Sequence, residues 1–103
     1  MSEREPWWGL LHLRPLDASS NPLENGAAGA YAVVLALASN ADGYREAVEV
    51  TMTSLGLSVV EIDRTTKLLP EDEEGEVADL RAALSERHPV QYRTFDNYMN
   101  DDA

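Results

Sequence analysis

The chain has 103 residues, of which 44% are apolar and none is cysteine, and nineteen acids against eight bases give it a net charge of −11. That describes one domain with material for a single core and too much apolar content for wholesale disorder. It excludes disulfides, thiolate nucleophiles and cysteine-built zinc sites, and the acidic field disfavours nucleic acid and anionic membrane as partners.

The leader Met1–Pro6 is charged and expected to fray. It lacks the succession of basic, apolar and small-residue regions of a signal peptide, and no apolar run reaches the roughly 18 residues of a membrane span, so a cytoplasmic protein is expected. Trp7–Leu13 (WWGLLHL) reads as a strand with Trp7, Gly9, Leu11 and Leu13 on one face and Trp8, Leu10 and His12 on the other. Adjacent tryptophans on opposite faces cannot both enter one core, so one of them covers a sheet edge, lines a cleft or meets a second interface. Residues 14–29 (RPLDASSNPLENGAAG) are dense in turn formers and predict a long surface loop, with Glu24-Asn25-Gly26 able to seed a tight turn.

Residues 30–38 form a continuous apolar run. At period two, Tyr31, Val33, Leu35 and Leu37 point one way and Ala30, Ala32, Val34, Ala36 and Ala38 the other, which predicts a central strand covered on both faces. A buried helix is the competing reading, because alanine and leucine are good helix formers. Ser39, Asn40 and Asp42 are each competent N-caps for the helix that follows. Its stripe is Tyr44, Ala47, Val48, Thr51, Met52 and Leu55, and Gly56 supplies the left-handed residue past its end. Leu57–Asp63 reads as a strand with Val60 and Ile62 toward the core and Glu61 and Asp63 toward water. A strand–helix–strand unit of this size implies a crossover between parallel strands.

Beyond Ile62 the alternation decays toward Leu68, Leu69 and Pro70, as a strand end or a short extra strand. A second helix is expected from near Glu76, with Val77, Leu80, Ala83 and Leu84 buried, to His88, where Pro89 ends it. Val90–Phe95 reads as a strand and 96–103 as a flexible tail. From Ala30 to Phe95 the order resembles the ferredoxin-like sandwich (β-α-β-(β)-α-β), here with an extra N-terminal strand, which makes the fold class α+β. The resemblance is one of pattern and rests on no motif. It implies two helices on one face, so the second apolar face of the central strand calls for another copy of the chain, as a homodimer, or for the packed N-terminal strand.

Chemistry is sparse. There is no metalloprotease, nucleophile-elbow or phosphate-loop motif, so no catalytic residue, metal site or cofactor is assigned. His88 suits the negative end of a helix; His12 can line a pocket; Glu61 and Asp63 share a strand face and can pair as acid and base. The acidic run Glu71, Asp72, Glu73, Glu74 and Glu76 lacks the ligand spacing of a calcium loop. With residues 71–103 holding ten acids and three bases, it is the natural surface for a basic protein partner, as in an inhibitor or immunity-type protein. The alternatives are a small-molecule-binding regulatory domain and a dimeric α+β barrel enzyme with an apolar cavity lined by Trp7, Trp8, His12, Tyr31 and Tyr92.

Overall fold

The first strand of the chain lies in the interior of the sheet. In the computed structural model, which describes residues 4–17, 19, 21–23, 26–93 and 95–99, β1 (Glu5–Pro15) pairs antiparallel with both β2 (Gly29–Ala38) and β3 (Leu57–Lys67). β2 and β3 therefore run parallel to each other with β1 between them, and α1 (Ala41–Ser54) makes the crossover. The N-terminal strand is thus part of the sheet rather than a cover for its second face. The free side of β2 is shared by two short strands. β4 (Val90–Tyr92) lies opposite Val34–Ala36, and β5 (Asp96–Tyr98) lies opposite Gly29–Tyr31. The result is an α+β fold with an open, antiparallel-paired five-stranded sheet and two helices.

The helix that begins the crossover is well capped. Asn40 is its N-cap, its side chain accepting a hydrogen bond from the Gly43 N–H at 2.8 Å, and Gly56 follows its end at φ 85°. Asn40→Ala is expected to lower stability by about 1 kcal/mol, read as a lower urea midpoint at unchanged slope. Tyr44, Val48 and Met52, one turn apart, are fully buried against Leu11 and Leu13 of β1 and the alanine-rich face of β2. The small residues of that face let the helix approach closely. Gly9 leaves space for the Tyr44 ring, whose hydroxyl donates to the Val34 carbonyl at 2.7 Å.

The other helix, α2 (Gly75–Ala83), packs on the opposite face. Its Leu80, with Leu84 just past its end, buries Leu35, and Trp8, Val33, Leu37, Leu68 and Val77 surround them. The two tryptophans accordingly divide, Trp7 toward the α1 core and Trp8 beneath α2. The expectation of a second copy assumed both helices on one face. Here α2 covers part of the face in question, over Leu35. It ends at Ala83, before Pro89 can act, because Leu84 turns extended to enter the second core (φ −66°, ψ 134°). His88 therefore lies in an exposed turn closed by Ser85, and not at a helix end.

Three further segments differ from expectation. β3 is one strand to Lys67, with register shifts opposite Trp8–Leu10 and His12–Leu13. The extra residues reset the two-residue period, which is why the alternation decays in the sequence. They leave Val60 exposed (52%) and send Val59 and Ile62 to the core, with Arg64 at φ 61°. β4 stops at Tyr92, and Asp96–Tyr98, expected as tail, forms a strand tied by the Ala28 N–H to the Tyr98 carbonyl at 2.9 Å. The loop between β1 and β2 is anchored by Asn21. Its amide donates to the Ala27 carbonyl and accepts from the Leu23 N–H, both at 2.8 Å, and Leu23 and Ala27 are buried. Residues 24 and 25 of the expected turn, with residues 1–3 and 100–103, lie outside the described residues; Gly26 has φ 67°. No described helix is long and apolar enough to cross a membrane.

Candidate functional site

Strand alternation and register together build a cleft on the part of the sheet face that α2 leaves open. His12 of β1 stands opposite Tyr31 of β2 and Glu61 of β3, so three strands contribute one row; Leu10 and Asp63 form the next. Odd residues of β2, even residues of β1, and Glu61 and Asp63 from the segment between the two irregularities of β3 point to this side. These five side chains line a hollow of about 230 Å³.

A sixth side chain enters from β5. Tyr98 pairs with Gly29, and because Gly29 has no side chain the phenol lies across it and reaches His12 Nε2 at 2.6 Å. A Cβ at Gly29 would collide with that phenol. The His12 and Tyr31 rings stack, with centroids 4.7 Å apart and an interplanar angle of 18°, and Tyr98 tilts against both at 5.6 Å. The imidazole is held in place by a hydrogen bond on one side and a ring on the other. Glu61 and Asp63 are exposed, and neither has a hydrogen-bond or ion-pair partner among the described residues. No lysine or arginine lines the hollow, and no three potential metal ligands converge among the described residues.

Of the five expected pocket residues, His12 and Tyr31 meet in this cleft. Trp8 is on the same face but under α2, and Trp7 and Tyr92 are on the far face, where Tyr92 stacks on Phe95 at 5.5 Å. Glu61 and Asp63 join His12 through register, which local spacing does not reveal. Tyr98 was missed in the sequence; its one signal is an aromatic residue in a polar segment, with glycine far upstream to receive it.

The acidic run lies apart from this row. Pro70–Asp72 form a 3-10 turn in which Asp72 Oδ2 accepts from the Leu69 N–H at 3.0 Å, and Gly75, at φ 54°, opens α2. Glu71, Glu73 and Glu74 are exposed; Glu76 is half-buried, with Oε1 lacking a partner among the described residues. The described ion pairs, Arg4–Glu86, Lys67–Glu5 and Arg93–Asp79, use none of the five acids. Their position before α2 and, for Glu76, in its first turn suits the positive end of its dipole, a role that asks nothing of a partner. Comparison of the chain with family models, curated proteins and solved structures finds no match.

Proposed function

We propose that the protein is a small interaction domain that recognises a basic protein partner, in the manner of an inhibitor or immunity-type protein. The observation that carries this reading is the set of carboxylates left without cationic partners among the described residues. Among them are Glu71, Asp72, Glu73, Glu74 and Glu76, consecutive or nearly so where the chain enters α2, and Glu61 and Asp63 on the sheet face that α2 shares. Charges so grouped steer a basic partner over a Debye length of about 8–10 Å and penalise acidic ones.

The test combines Glu71→Gln, Asp72→Asn, Glu73→Gln and Glu74→Gln, with Glu76→Gln as a separate variant because that side chain is half-buried. Partners are captured from a lysate of the source organism at low and moderate salt, and the affinity of a captured basic protein is then measured. The combined variant is expected to bind about tenfold more weakly at low salt, with a flatter salt dependence. Unchanged affinity and salt slope would remove the acidic segment from the interface.

An enzymatic reading has one specific observation behind it, the hydrogen bond between His12 and Tyr98 beside two carboxylates. We rank it second because the hollow, at about 230 Å³, is smaller than the roughly 300–1,000 Å³ of ordinary ligand sites. A regulatory domain with a small molecule held between two copies, and the homodimer it needs, stand behind both. The ferredoxin-like relation is likewise proposed on the split β-α-β unit formed by β2, α1 and β3 around β1.

A further inference from the structure

The hollow itself points to a more definite ligand. We propose that the cleft of Leu10, His12, Tyr31, Glu61 and Asp63 receives a guanidinium group, namely an arginine side chain of the basic partner. The proposal rests on the partner reading above and adds to it a site and a residue type.

Charge decides the sign of the ligand. Two carboxylates face the hollow without hydrogen bonds or ion pairs among the described residues, and no lysine or arginine lines it. An anion entering there meets two carboxylates and no lysine or arginine to offset them. A metal ion is a poor fit, because no three ligating groups converge among the described residues and His12 Nε2 is engaged with Tyr98.

Shape narrows the class further. Glu61 and Asp63 are two residues apart on one strand, so their Cβ atoms stand about 6.5–7 Å apart along one side of the hollow. Beside them stands the His12 ring, which lies between Glu61 and Tyr31 in the register and is backed by the stacked Tyr31 ring. A planar cation with donors around its rim satisfies the carboxylates and the ring together. It hydrogen-bonds the carboxylates along its edge and lays a face on an aromatic ring. An ammonium group is a compact point charge and uses the carboxylates alone. Leu10, beside Asp63 in the second row, offers apolar surface to the methylene stem. The volume suits one long side chain and excludes a nucleotide or a folded peptide.

The bond from Tyr98 keeps the His12 ring in this position. An unbound imidazole opposite Glu61 is free to rotate toward that carboxylate and occupy it. Held at Nε2 by the phenol, the ring stays stacked on Tyr31 and both acids remain open to the ligand.

The experiment titrates isotopically labelled protein with Nα-acetyl-arginine amide and, separately, with Nα-acetyl-lysine amide at low salt, followed by NMR. Saturable shifts are expected for arginine at Glu61, Asp63, His12 and Tyr31, with lysine binding at least about threefold more weakly. The double variant Glu61→Gln/Asp63→Asn, at exposed positions and expected to keep the parent's melting temperature, is expected to weaken arginine binding by about tenfold. The combined variant of residues 71–74 should leave it in place. Shifts absent from the cleft, equal affinity for the two amides, or a double variant that binds like the parent would each overturn the assignment. If the cleft fails while neutralising 71–74 still releases a basic partner, the arginine site falls and the partner reading stands. Arginine bound in the cleft of a protein whose partner ignores residues 71–74 keeps the site and removes the acidic segment.

Discussion

Tyr44→Ala is expected to cost about 3–5 kcal/mol, a large share of the roughly 5–15 kcal/mol that holds a domain of this size together. The ring is fully buried between α1 and the sheet, and truncation opens a cavity walled by residues with little freedom to close it: the Gly9 backbone, Ile62 and the small side chains of β2. Urea or thermal unfolding of the variant should show a much lower midpoint, or no cooperative transition. Tyr44→Phe separates the hydrogen bond from the packing. It removes the donor to the Val34 carbonyl and is expected to cost about 1–2 kcal/mol.

The same phenol sets a direction for alkaline stability. Burial raises the Tyr44 pKa above its ordinary value, so in the folded state the group keeps its proton where the unfolded chain has lost it. Its contribution is fully present below an ordinary phenol pKa of about 10 and is lost as the pH rises from there through the raised folded value. Parent protein is therefore expected to lose more stability than Tyr44→Phe between neutral pH and the region above about 10, compared by urea midpoints. Equal losses would mean the phenol is not shielded from solvent.

The second large effect belongs to Gly29. Any side chain there meets the Tyr98 phenol and comes within 2.7 Å of the Leu13 carbonyl. Gly29→Ala is expected to cost about 1–3 kcal/mol as overpacking, and Gly29→Val more. The lesion is specific in place. The alanine variant should release Tyr98 from His12 and loosen β5, visible as loss of amide protection at residues 96–98 while α1 keeps its own. Adding Tyr98→Ala to Gly29→Ala removes one of the two collisions. The pair should therefore be less destabilised than the sum of its single changes. Full additivity would show that the ring does not lie across Gly29.

These sites mark where local chemistry is informative and where it is silent. The unit from β2 to β3 is written into its own residues: the apolar run of 30–38, the Asn40 cap, the spacing of Tyr44, Val48 and Met52, and Gly56 at the end. Each is decided within a turn or two of chain. The face α2 selects is decided elsewhere, by Trp8 and Leu35; its nine residues carry a weak stripe, and the next apolar residue, Leu84, is buried from an extended backbone past the helix end. The shifts in β3 hide behind Val60 and Arg64, residue types with no reputation for bulges. β5 has no apolar alternation because backbone bonds to β2 and one phenol hold it. The cleft falls between these cases. His12, Tyr31, Glu61 and Asp63 each stand out in the sequence, but only register across three strands makes them neighbours.

The interior place of β1 bears on how the chain is made. Its β2 side can pair soon after residues 29–38 emerge, across a loop whose closure is inexpensive. Its other side has no partner from this chain until Leu57–Lys67 has been synthesised and α1 has formed between. A nascent chain paused in that interval exposes Trp7–Leu13 as a bare apolar strand edge, the geometry that recruits foreign strands. Synthesis speed through residues 39–67 therefore sets how long that edge stays unpaired, and the slow contacts of the finished sheet are those between β1 and β3.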